Sequence, residues 1–538
     1  MKISHSGERF ELAFRGGADF YVDLAAAKAA GFAWDRESKT WWTVDPAVAL
    51  RLKGSGATAT MEAVKLIAFA EAQAAQAIVQ SRATDSDAEI PCPVGLAYLS
   101  YQKAGIAYAT HHDNTLIADE MGLGKTIQGI GISNSDPLTH RVLIICPASL
   151  KLNWRREWQK WDIKSLSVGV VGYKKDKEPF EADVVIINYE LLGKFNGAIR
   201  GIEWDLMLVD ECHKLKNPKT ARTKQVFGAK RPKDGEPIRP ILARRRVYLT
   251  GTPIINKPIE LFGLLHNIDP QGLGANFMKY ALRYCAAVKG YFGWDFSGAS
   301  NLEELQEQLR ARLMVRRLKA DVLKELPPKR RQVVVLESNA RIDKLIAKEK
   351  QSYEEYESAK GEDAQTPTFA NLSKARLAVA LAKVPFAIEY IQEALDETPK
   401  IVIFGHHHEV LDTLEKSFAG SCVRVDGRIE IQARQNAVDR FQTDPTCKVF
   451  LGGIQAAGTG LTLTAASLVV FIELDWTPGN ISQAEDRLHR IGQKDAVQVQ
   501  HLVLEGSLDE RMIEIILEKQ KIIDQALDTS REKGELYV

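Results

Sequence analysis

A lysine and a threonine close a glycine-bearing turn in ADEMGLGKT (118–126), the first place where the sequence carries recognisable chemistry. The apolar run TLIAD enters the turn and a helix pattern leaves it. That order aims backbone N–H groups and a helix N-terminus at an anion. Lys125 is placed to reach the β- and γ-phosphates of a nucleotide and Thr126 to ligate Mg²⁺, with Gly122 and Gly124 flanking the turn. A phosphate loop in its full form has glycine where this chain has Asp119, at the loop's entry. Alone, such a loop also arises without a ligand. A second element decides between the two readings. LMLVDECH ends an apolar run on Asp210 and Glu211. There Asp210 would hold the Mg²⁺ shell, and Glu211 would orient and deprotonate an attacking water. An acidic pair also caps helices, but a cap requires no lysine-bearing loop upstream.

A third element lies far downstream. NISQAEDRLHRIGQ predicts a helix with Gln483, Arg487 and Arg490 at i, i+4 and i+7, on one face. Two arginines there would stabilise charge on a γ-phosphate from a second lobe. A solvated basic face is the plainer reading, weakened by GTGLT (458–462) just upstream.

These groups need rigid elements to hold them. TLIAD, RVLIICP, DVVIINY, LMLVDE and RVYLTG are short apolar runs, as buried parallel strands are. A second set follows: KIVIFGH, SCVRVDG, KVFLGG, LVVFIELD and VQHLV. The pattern predicts an α/β protein of two tandem lobes with parallel sheets and helical insertions, after a small α+β N-terminal module. Residues 1–55 form that module, 56–92 a helical linker, 93–335 the first lobe with a helical insertion at 271–332, and 336–538 the second lobe. SLDERMIEIILEKQKIIDQAL predicts an amphipathic C-terminal brace helix. The chain has 538 residues and net charge +1, so a nucleic-acid site must be a local patch. No apolar run is long enough to cross a bilayer, and no membrane partner is expected. Six singly scattered cysteines suggest a reducing, intracellular setting.

Together the motifs resemble the Swi/Snf-type DNA translocases of helicase superfamily two, from about Leu96 to Leu527. LSYQKAG resembles the adenine-reading segment, with Gln102 as its glutamine. DEMGLGKT is that family's own form of the phosphate loop, and CPASLKLNW, INYELL, DECHKLKN, LTGTPIINKPIELFGLL, GTGLTLTAA and QAEDRLHRIGQ follow in the family's order. Cys212 stands where the family usually has alanine. The resemblance implies two RecA-like lobes, ATP and Mg²⁺ as cofactors, and double-stranded DNA as partner. It implies nucleotide contacts from Gln102, Gly122, Gly124, Lys125, Thr126, Gly460 and Gln483. Catalysis would fall to Lys125, Asp210, Glu211, Arg487 and Arg490. DNA phosphates would be met by Ser149, Asn188 and Thr459, and Thr250, Thr252 and Asn256 would couple nucleotide state to lobe movement.

A narrower resemblance, in RYCAAVKGYFGWDFSGASNLEELQEQL and MVRRLKADVLKELPPKRR, is to annealing helicases that remodel replication forks. FAWDRESKTWW resembles the HARP module that precedes their motors, with Arg36, Lys39 and Trp41 expected on DNA. The expected activity is ATP-driven translocation on duplex and forked DNA by a monomeric motor. A strand-separating helicase and a nucleotide-gated DNA scaffold with weak turnover are the alternatives. The compact size, without a long N-terminal extension or a nuclease, chromodomain or zinc module, suits a bacterial or bacteriophage cytoplasm, or a nucleus if the source is eukaryotic. The basic run RRLKADVLKELPPKRR is expected over the DNA or on solvated surface. His406, His407 and His408 alternate in direction along a strand end, which argues against one shared ion.

Overall fold

The computed structural model describes residues 1–17, 19–173, 176–229, 237–291, 293–358, 367–457 and 461–527. Val142–Cys146 and Val184–Asn188 are buried at every residue, as strands covered by helices on both faces must be. They belong to a seven-stranded sheet. Its order is Met314–Val315, Asn114–Ile117, Ala243–Leu249, Trp204–Asp210, Val142–Cys146, Val184–Asn188 and Val168–Val170. Every neighbouring pair is parallel. The phosphate loop follows Asn114–Ile117, the acidic pair closes Trp204–Asp210, and Thr250 follows Ala243–Leu249. These three strands are neighbours, so their side chains meet at one carboxyl edge, where open α/β sheets bind ligands.

The second sheet is also wholly parallel. Its order is Lys329–Leu336, Val497–Leu504, Leu468–Phe471, Ile401–Gly405, Val449–Gly453 and Cys422–Val425. Lys329–Leu336 pairs along its whole length with Val497–Leu504. The second lobe therefore begins near residue 329, not at 336. The segment 271–332 is not simply helical either. After the helices Phe277–Tyr284 and Leu302–Arg312 it supplies Met314–Val315, which extends the first sheet.

The N-terminal module is a five-stranded sheet, Ala33–Asp35, Thr40–Thr43, Arg9–Ala13, Lys2–Ser6 and Thr58–Ala59. Thr58–Ala59 pairs with Lys2–Ser6, and Ala63 and Ile67 complete the apolar core. The module thus runs past residue 55 into the first turns of the helix Met61–Arg82. It is tied to the first lobe by Arg312 on Asp45 at 2.7 Å and by Lys279 on the Gly31 carbonyl.

The helix Leu508–Leu527 joins the lobes. Met512, Ile513 and Ile516 lie in the second lobe's core. Ile523, Ala526 and Leu527 lie in the first lobe's core. Among the described residues no helix is long and apolar enough to cross a membrane.

Candidate active site

The phosphate loop is shaped by two left-handed glycines, Gly122 (φ 83°) and Gly124 (φ 72°). A Cβ on Gly124 would stand 2.5 Å from Gln102 Nε2, and one on Gly122 would stand 2.8 Å from the Cβ of Arg490. Only glycine tolerates both the conformation and the crowding. Lys125 opens the helix Lys125–Ser135 and donates to the carbonyls of Asp119 (2.8 Å) and Glu120 (3.2 Å). Burial lowers its pKa, against the pull of Glu211 and Asp119. Gln102 is buried and accepts from the Leu99 N–H while donating to the Leu123 carbonyl. In this arrangement it clasps the loop from behind.

Asp119 explains the missing glycine. It is fully buried, and its carboxylate meets the Arg317 guanidinium at 3.2 Å. It also accepts from the Arg317 N–H and from Gln128 Nε2. A Cβ on Gly105 would strike both Gln128 and Arg317, so that glycine makes room for the cluster. The residue is part of a buried ion pair that anchors the loop to the start of the connection between the lobes.

Asp210 accepts from Trp154 Nε1 and from the Glu211 N–H. Burial, then the Glu211 carboxylate, push its pKa up. Burial opposes charge on Glu211 as well, but His213, Lys125 and Arg487 outweigh it and hold that carboxyl ionised. Glu211 has a φ of 52°, a conformation costing about 1–2 kcal/mol for a residue with a side chain and typical of functional positions. Its Oε2 lies 3.2 Å from His213 Nδ1, which is 3.1 Å from Thr250 Oγ1. Thr250 Oγ1 accepts from the Thr252 N–H, and Thr252 Oγ1 accepts from Gln483 Nε2 at 3.0 Å. Close polar contacts thus lead from Glu211, by way of His213 and the two threonines, to Gln483 of the second lobe. Asn256 donates its backbone N–H to Glu260.

The helix read over NISQAEDRLHRIGQ ends early, as Pro478–Glu485. Arg487 and Arg490 lie in the turns beyond it, so the i, i+4, i+7 face does not exist. The three residues converge by another route. Gln483 meets Thr252, Arg487 is buried within electrostatic reach of Glu211, and Arg490 packs on Gly122 while donating to the Leu461 carbonyl.

Most of the basic run 316–331 is held in buried contacts, while Lys324 and Arg330 remain exposed. Arg316 donates to the Ala118 carbonyl, and Arg317 holds Asp119. Lys319 meets Asp486 at 2.8 Å and Glu120 at 3.5 Å. Lys329 and Arg331 meet Glu485 at 3.0 and 2.6 Å. Burying so many cations requires paired anions. Glu485 and Asp486, inside the arginine motif itself, were the signal in the sequence.

Of the expected DNA contacts, Ser149 lies half-buried in the turn Ala148–Leu150. Asn188 is buried, its Nδ2 donating to Glu190. Thr459 and Gly460 lie outside the described residues. Arg36 and Lys39 are exposed on the turn between Ala33–Asp35 and Thr40–Thr43. Trp41, however, packs against the module core beneath Lys28. Of the module's tryptophans the exposed one is Trp34, at 48%. His407 pairs with Glu473 and His408 with Asp426.

Residues 101–380 match the SNF2-related domain, and residues 383–492 match the helicase conserved C-terminal domain. A Caenorhabditis elegans protein, the SWI/SNF-related matrix-associated actin-dependent regulator of chromatin subfamily A-like protein 1 homolog, is 36% identical over 456 residues, covering 81% of this chain and 63% of that protein. The Mus musculus DNA annealing helicase and endonuclease ZRANB3 is 36% identical over 464 residues, covering 82% of this chain and 42% of that protein. The chain thus spans less than two thirds of the length of these relatives. Both come from animals and give no support to a bacterial or bacteriophage origin. Among solved structures, the Sulfolobus solfataricus SWI2/SNF2 ATPase core in complex with dsDNA is 25% identical, with a TM-score of 0.39, over 81% of this chain and 94% of that one.

Proposed function

This chain belongs to the SNF2-related family, and from that premise we propose that it is an ATP-driven translocase on duplex DNA, acting at branched or forked structures. The observation that carries the reading is the meeting of the lobes: Arg490 against Gly122 of the phosphate loop, and Gln483 bonded to Thr252. A site completed by both lobes links turnover to their relative movement, which is what a motor requires.

The chain's own residues fit a nucleotide with Mg²⁺. Gly122 and Gly124 form a cradle that a side chain would fill. Lys125 supplies a cation there, and Thr126 with the buried carboxylate of Asp210 supplies hard oxygen ligands. A bound Mg²⁺ would neutralise charge on the phosphates. Glu211, held ionised beside His213, accepts a proton from the attacking water. Arg487 and Arg490 stabilise negative charge that develops on the phosphoryl group. The contacts through His213, Thr250 and Thr252 place Glu211 and Gln483 at the two ends of one polar cluster. The name of the relative called a DNA annealing helicase favours a substrate in which complementary strands can re-pair, as at a fork. The exposed Trp34, with Arg36 and Lys39 nearby, supplies a stacking face and two cations suited to unstacked bases. We take the motor to act as a monomer.

The test compares ATP hydrolysis with single-stranded, duplex and forked DNA of scrambled sequence. Stimulation should follow duplex and fork rather than base sequence, and fall steeply with salt. Turnover indifferent to DNA, or tied to one sequence, would sink the proposal.

A further inference from the structure

The connection between the lobes places one buried cation on both rims of the site. Lys319 opens the short helix Lys319–Val322, just after the last strand of the first sheet. It is 3% exposed. Its Nζ lies 2.8 Å from Asp486, the residue before Arg487, and 3.5 Å from Glu120, two residues before Gly122. The Lys319 N–H donates to Glu120 at 2.7 Å, so backbone and side chain hold the same carboxylate. A Cβ on Gly122 would stand 3.6 Å from Lys319 Cε, which puts the lysine stem against the loop itself.

The neighbouring ion pairs differ in kind. Lys329 and Arg331 lie on the first strand of the second sheet and hold Glu485 of the same lobe. Lys319, by contrast, meets carboxylates of both lobes. Resting on the reading under Proposed function, we propose that Lys319 is a positioning residue. It ties the phosphate loop through Glu120 to the arginine turn through Asp486, and so fixes Arg487 and Arg490 over the nucleotide. The lysine touches no reacting atom. Its effect passes through the two carboxylates, and depends on a point charge with a stem long enough to reach both. Lys329 also lies 3.4 Å from Asp486, so loss of Lys319 leaves that carboxylate compensated within its own lobe while the cross-lobe tie is lost.

The experiment uses the full chain with Lys319→Met, which keeps the stem and removes the charge. Arg331→Gln serves as the comparison, since it breaks an ion pair within one lobe. Hydrogen–deuterium exchange, without nucleotide or DNA, should rise about threefold or more in both 118–126 and 478–490 for Lys319→Met. Arg331→Gln should leave 118–126 unchanged. Asp486→Asn cuts the same tie from the other side and should raise exchange in both segments too, which keeps the test open if Lys319→Met does not fold. With ATP and duplex DNA, kcat of Lys319→Met should fall about tenfold or more while KM for ATP moves less than about threefold, as for loss of an interaction made in the transition state.

Unchanged exchange in either segment overturns the proposal, as does a raised KM with kcat intact, which would make Lys319 an attractor of nucleotide. Equal exchange at 118–126 in Lys319→Met and Arg331→Gln overturns it as well. If the unaltered protein shows no DNA-stimulated turnover, the translocase reading fails, and the exchange comparison still decides the role of Lys319.

Discussion

Replacing Asp119 by glycine would complete the sequence pattern of a phosphate loop, and the structure says it should damage the protein. Asp119 is fully buried against an equally buried Arg317, 3.2 Å away. Removing one partner of a buried pair leaves a charge without compensation, at about 3–5 kcal/mol. The Arg317 N–H and Gln128 Nε2 lose an acceptor at the same time. Each such loss costs about 1 kcal/mol or more, but the bonds share one carboxylate and do not add to the pair in full. Arg317 keeps the Ala83 carbonyl, which softens the penalty. A net loss near the lower end, about 3 kcal/mol, lowers the melting temperature of a unit of this size by about 6–12 °C. The assay is thermal unfolding of Asp119→Gly, Arg317→Met and the double variant, with binding of a fluorescent ATP analogue. The double variant should recover much of the loss, since a buried pair exchanged for apolar groups is often near neutral. An Asp119→Gly protein that melts like the parent and binds ATP more tightly would refute the reasoning.

Glu211→Gln should abolish hydrolysis while sparing ATP binding, because Lys125 and Asp210 remain; parental turnover would remove Glu211 as the base. Arg487→Ala and Arg490→Ala should each lose DNA-stimulated turnover by factors on the order of 10³, with ATP binding intact; a change under about threefold in both would make these residues bystanders. Trp34→Ala should leave the melting temperature unchanged, since the ring is half in solvent, and should erase any preference for forked over plain duplex DNA in the ATPase assay; an undiminished preference would take Trp34 off the junction. Burial, then Asp509, raise the Glu349 carboxyl to about 7. The raised value makes its ionised form a burden on the fold that is absent below the unfolded pKa of about 4.5 and complete above about pH 7. Glu349→Gln, which keeps an acceptor for the Leu508 N–H, should therefore raise stability by on the order of 2 kcal/mol at pH 8 and hardly at all at pH 4.

The parts of the fold legible in the sequence were those written in local pattern. Val142–Cys146 and Ile401–Gly405 are continuous apolar runs, buried throughout. The lysine and the acidic pair of the candidate site stood beside such runs, so their meeting followed from parallel order. Met314–Val315 was missed because two residues carry no period. Lys329–Leu336 escapes the pattern because it starts with three charged residues, and the partners of Lys329 and Arg331, Glu485 and Asp486, lie some 150 positions away. For the same reason the basic run read as a surface. Charge in a sequence says nothing of burial until its counter-charge is located. Helical spacing puts Arg487 and Arg490 on one face, yet the helix stops at Glu485, and their convergence is tertiary. In the N-terminal module the aromatic turn was visible, but which ring faces solvent depended on the packing of Trp41 against the core.

The helix Leu508–Leu527 has a consequence for how the chain is made. Ile523, Ala526 and Leu527 fill a seam in the first lobe's core, whose own strands end at Val315. During synthesis that seam must wait for roughly 200 further residues, about 10–40 seconds at ordinary elongation rates. Through that interval the first lobe emerges with an apolar groove open beside Leu305 and Leu309. The nascent protein is then most exposed to aggregation and to chaperone capture. Its vulnerable period ends only when the helix Leu508–Leu527 leaves the ribosome and closes both cores together.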